Sequence, residues 1–151
     1  KRAIARYERD GVQLSDSKKL ALSEDHFLVD GFEKLYGGSP EKFPEKYVEG
    51  SQFSRNRVDG GNAKYLTDVP VRLYSDPDIL WQLKNKGRDY YDMNCTNLSA
   101  MINFLIQNGN TRAQFIPAIG KGFRVDGTRH PHSWSIVAPD ECIKWILKLV
   151  R

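Results

Sequence analysis

The sequence predicts an α/β fold built on a βαβα unit with parallel strands. Residues 69–75 (Val-Pro-Val-Arg-Leu-Tyr-Ser) and 113–119 (Ala-Gln-Phe-Ile-Pro-Ala-Ile) are short runs rich in β-branched and aromatic residues, the composition that suits a pleated, half-buried surface. Between them, residues 98–107 form a nearly all-apolar helical run, and a second helix opens at Pro139-Asp140-Glu141. A crossover of that length joins parallel strands and is right-handed.

Upstream, residues 1–36 read as helical. Leu20, Phe27, Leu28, Phe32 and Leu35 recur at helical intervals on one face. Ser15 or Asp16 is placed to cap a start, and Gly37-Gly38 to stop it. From residue 39 to 66 the chain turns irregular, with a short helix expected near residues 41–48 and a surface loop after it. Pro70 sits near the start of the first strand, where a lost donor is tolerable. Thr96 or Asn97 caps the middle helix and Asn108-Gly109 ends it. In the last helix Pro139 suits the first turn, the acids face the positive end of the dipole, and Cys142, Ile143, Trp145, Ile146, Leu147, Leu149 and Val150 are apolar. Two parallel strands are too few to bury such helices, so further strands are expected from another chain or from the rest of a larger sheet.

The 151 residues suit one domain, and 40% apolar with 28% charged residues is the balance of a globular protein. No apolar stretch reaches the roughly 18–20 residues of a membrane span, so no membrane partner is expected. The chain opens in Lys1-Arg2-Ala3-Ile4-Ala5-Arg6, without an initiating Met or signal peptide, and reads as the interior of something longer or a mature start. The net charge of +4 is mild. The early cluster Lys1, Arg2, Arg6 and Arg9 has no nucleic-acid motif beside it and is better explained as a solvated helix face. Cys95 and Cys142 have no zinc spacing and leave the compartment undecided.

Chemistry concentrates in two loops. Ser75-Asp76-Pro77-Asp78 follows the first strand, where open α/β sheets place their ligands. A carboxylate there can hold a histidine in one tautomer and stabilise its imidazolium. The same residues also make an ordinary turn, with an Asp cap for the segment beginning Ile79-Leu80-Trp81. The second loop, residues 120–135, carries His130 and His132, whereas His26 within the first helix reads as a surface residue. His130 and His132 with Asp126 lack a third strong ligand, so neither metal nor other cofactor is expected.

From about residue 69 to 151 the chain resembles the carboxyl half of an α/β-hydrolase. Ser75-Asp76-Pro77-Asp78 stands where that family has G-D-x-D, with serine at the glycine; Pro117-Ala118-Ile119-Gly120 resembles its P-G-x-G; His132-Ser133-Trp134 matches the H-x-W of esterase-like members. Residues 1–68 would then be the helical cap-like segment, and residues 40–53 resemble a cap motif with Gln52 in place of a proline. The family's nucleophile elbow and oxyanion loop have no counterpart in the sequence. The resemblance implies an esterase-like serine hydrolase contributing Asp78 and His132 as acid and general base, with Asp76 and His130 as alternates. It implies a small ester or other acyl substrate and, through Tyr90, Tyr91 and Trp134, a substrate-binding surface. A second polypeptide or a homodimer would complete the sheet. The competing reading is a non-catalytic interaction module presenting Trp81, Tyr90 and Tyr91.

Overall fold

The computed structural model describes residues 4–5 and 14–150. The expected helix over residues 1–36 is seen as α1 (Asp16–Tyr36), and the rest of that expectation, basic cluster included, lies largely outside the described residues. Ser15 occupies the N-cap position without a capping bond from its side chain, and Gly37 ends the helix in the left-handed conformation at φ 84°. The apolar stripe of α1 faces solvent: Phe27 is 77% exposed and Leu35 70%, while Ala21 is the helix's one buried residue. Periodicity therefore located the helix and its apolar side, but not a covering for it.

The short helix is α2 (Pro44–Glu49), three residues later than expected because Pro44 takes the first turn, where its missing N–H is no loss. Asn62 then fastens the irregular segment, its Nδ2 donating to the carbonyls of Glu49 and Ser51, each at 2.9 Å. Gly60, at φ 68°, passes so close to Phe104 that a Cβ there would sit 2.7 Å from the ring.

Strand β1 (Val71–Ser75) pairs in parallel with β2 (Ala113–Pro117), Val71 opposite Ala113 and Ser75 opposite Pro117. Both strands are two residues shorter than the sequence suggests, β1 beginning after Pro70 and β2 ending at Pro117. An additional helix, α3 (Ile79–Lys86), follows the Asp-Pro-Asp loop directly. The crossover helix α4 (Cys95–Gln107) starts three residues early, with Asn94 rather than Thr96 or Asn97 at the cap position. The last helix is α5 (Pro139–Leu149).

Alternation along β1 divides the molecule into layers. Val71 and Leu73 pack on the core of Ala63, Met101, Ile102, Leu105 and Ala113, beneath α4. Arg72 points the other way, its guanidinium 4.6 Å from the Trp145 ring centre and 3.2 Å from Glu141 on α5. Asn110, 3% exposed, pins the crossover by donating to the carbonyls of Leu66 and Val69, both at 2.8 Å, and accepting from the Arg112 amide. The result is a mixed α/β arrangement with one helix on each face of a two-stranded parallel sheet.

Candidate functional site

Parallel pairing brings the carboxyl ends of β1 and β2 to the same end of the sheet, so the loop after each strand meets the other there. Asp76 is the joint between them. Its side chain is fully buried, and its oxygens accept from the amides of Gly120 at 3.0 Å and Gly122 at 2.9 Å. Arg129 adds an ion pair at 2.7 Å. Asp78 uses one oxygen to cap α3, accepting from the Trp81 amide at 3.0 Å, and the other to bind the same Arg129 nitrogen at 2.9 Å. That amide hydrogen bond and the Arg129 guanidinium hold the Asp78 carboxyl below its ordinary range.

The long second loop is folded, not loose. Phe123 and Arg129 form an antiparallel bridge, the His130 amide donates to the Gly122 carbonyl at 2.8 Å, and Ser135 Oγ accepts from the Phe123 amide. Gly122 is required here, because a Cβ would stand 2.7 Å from Pro131 Cα and collide with the His130 carbonyl. This hairpin delivers His130 and His132 side by side, their rings edge to face at 5.9 Å, with Trp81 6.5 Å from His130.

The two histidines, Pro131, Trp81 and Gln82 form one side of a cleft of about 530 Å³. Phe27, Leu28 and Glu24 of α1 close the other. Charged contacts hold α1 there: Lys86 meets Glu24 at 3.2 Å and Arg88 meets Asp25 at 2.6 Å. Lost hydration lowers the basicity of both imidazoles, with the Arg124 charge adding at His130 and the Arg88 charge at His132. Asp76 acts on His132 in the opposite sense, through its field. Both rings are thereby biased toward the neutral form, which can accept a proton.

The expected acid–histidine hydrogen bond is not formed. Both carboxylates have their oxygens committed to backbone amides and to Arg129, and none of their hydrogen bonds reaches His130 or His132. The turn-and-cap reading of Asp78 is the one the geometry realises. Of the expected substrate-binding aromatics, Tyr90 is 53% exposed, Tyr91 75% and Trp134 90%, and none of them lines the histidine cleft. Tyr91 borders a separate depression beside α2.

Sequence reasoning missed Arg129 and Gln82. The adjacency of Arg129 to the histidines and the lone polar Gln82 between Trp81 and Leu83 were the signals available. Their significance depends on tertiary contacts that residue order does not carry. Among the described residues no three His, Cys, Asp or Glu side chains converge as a metal site would require, and no helix is long and apolar enough to cross a membrane. Comparison of the chain with models of known protein families, with curated proteins and with solved structures returns no match.

Proposed function

We propose that this chain supplies the histidine and the acid of an esterase-like serine hydrolase, with the nucleophile and oxyanion donors coming from outside residues 1–151. The observation that carries the proposal is His132 at the rim of a ligand-sized cleft, beyond the carboxyl ends of two parallel strands and within the field of buried Asp76. In this reading His132 takes the proton of the attacking serine as the acyl bond is approached. It then returns that proton to the departing alkoxide, and water repeats the cycle on the acyl-enzyme.

The preferred acid changes with the geometry. Asp78 is occupied in capping α3, so its pairing with His132 would require release from Arg129. Asp76 stabilises the imidazolium by its charge without moving. The test is hydrolysis of short nitrophenyl esters by a polypeptide carrying this sequence together with nucleophile-bearing strands. His132→Ala should lower kcat roughly 10⁴-fold or more. A His132→Ala protein with undiminished turnover rejects the assignment.

One observation favours the interaction-module reading instead. Tyr90 and Tyr91, two of the three aromatics of that surface, are open to solvent, and exposed aromatics mark partner surfaces. That reading expects Tyr91→Ala to abolish association while ester hydrolysis is absent throughout.

A further inference from the structure

Gln82 is 4% exposed, lies on the inner side of α3 and lines the histidine cleft, yet its Oε1 is buried with no hydrogen-bond partner among the described residues. A buried acceptor left unpaired destabilises a fold, and an apolar residue of the same length would pack there without that cost. We propose that the cleft binds an uncharged carboxamide carried on an apolar body, with Gln82 as its polar anchor. The proposal goes beyond the hydrolase reading, because binding of this kind needs no nucleophile.

Three features select that chemistry. A glutamine side chain presents an acceptor and donors in one plane; Oε1 is shut from solvent in the free protein, so a ligand meets it as the terminal amide turns toward the cleft, and the complement is then another amide, returning an N–H for Oε1 and a carbonyl for Nε2. A carboxylate offers no hydrogen to Oε1 and is repelled by it. The cations bordering the cleft already have carboxylates from α1, Lys86 with Glu24 and Arg88 with Asp25, so the wall is balanced in charge. Phe27 and Leu28, 77% and 52% exposed, then give an apolar body a surface to cover opposite Trp81. The volume of about 530 Å³ accepts such a molecule.

The experiment titrates the 151-residue chain with 3-phenylpropanamide and, separately, 3-phenylpropanoate, by ligand-observed NMR, and follows thermal unfolding of the ligand-free proteins. The amide should bind at least tenfold more tightly than the carboxylate. Gln82→Met should melt above the parent protein when free and bind the amide at least tenfold more weakly, a combination that a purely structural glutamine would not give. Phe27→Ala, at a solvent-facing position, should leave the melting temperature unchanged and weaken the amide severalfold. Equal binding of amide and carboxylate, full amide binding by either variant, or a Gln82→Met protein that melts lower overturns the proposal. None of these readouts involves ester hydrolysis, so the inference and the hydrolase reading fail separately.

Discussion

Arg129 holds two carboxylates with one guanidinium, and between Trp81 and Phe123 its charge also faces aromatic rings at 6.0 and 5.5 Å. Asp76 is fully buried, so its negative charge depends on that partner and on the two glycine amides. Arg129→Ala should therefore cost about 3–5 kcal/mol in chemical denaturation, since it strands a buried charge. Asp76→Asn in the Arg129→Ala background should recover part of the loss by removing that charge. A loss below about 1 kcal/mol would mean that water, not Arg129, satisfies Asp76. The histidines set a second prediction. Their folded-state basicity lies below the unfolded value, so as pH falls the unfolded chain takes up protons first. Their contribution is complete above about pH 6.5 and declines as pH falls from there, levelling once the folded imidazoles also protonate. Melting temperatures between pH 8 and 5 should fall on acidification, and the double substitution His130→Asn with His132→Asn should flatten that segment of the curve.

At the scale of elements, what local chemistry decides was legible and what partners decide was not. Proline and glycine punctuation placed α2, α4 and α5 within three residues at their ends, β-branched composition located both strands, and the helical crossover between them gave their parallel sense. Helix α3 was legible only as an Asp cap, because eight residues carry too little periodicity to separate a helix from a turn. The site divided the same way. Residue type and loop position were enough to bring His130, His132, Asp76 and Asp78 to one end of the sheet, whereas the partner each carboxylate takes was settled by the hairpin that carries Arg129 across to them. Helix α1 shows the limit most plainly, since its apolar stripe is real and exposed while charged pairs to Lys86 and Arg88 hold it beside α3. Phe32→Ala should accordingly shift stability by no more than about 0.5 kcal/mol. Arg88→Ala removes a partner of Asp25, 19% exposed in its side chain, and should cost more than the phenylalanine does. Reversal of that order in urea titrations would mean that the stripe is buried in solution.

The whole molecule carries more apolar surface than its own sheet can cover. No residue of α5 is buried, Ile143 and Leu147 are about half exposed, and the α1 stripe is equally open. Among the described residues each strand bonds only to the other, which leaves each with an unpaired edge. An exposed edge is a template for another strand, and an uncovered stripe gains by association through the same hydrophobic term that builds a core. The chain in isolation is therefore expected to associate with a second copy, a symmetric dimer being the commonest closed form. It is also expected to lack hydrolase activity on its own. Ser75 is buried at the end of β1, Ser99 lies within α4, Ser133 precedes the short turn Trp134–Ile136 and Ser135 lies within it; none of them sits in the strained strand–turn–helix elbow that presents a nucleophile beside oxyanion donors. Light scattering and a nitrophenyl ester assay on one preparation test both halves together. A monodisperse 17.3 kDa species contradicts the association, and ester turnover with a burst contradicts the inactivity. An inactive dimer that gains turnover when nucleophile-bearing strands are supplied is the result that unites the open sheet with the proposed role of His132.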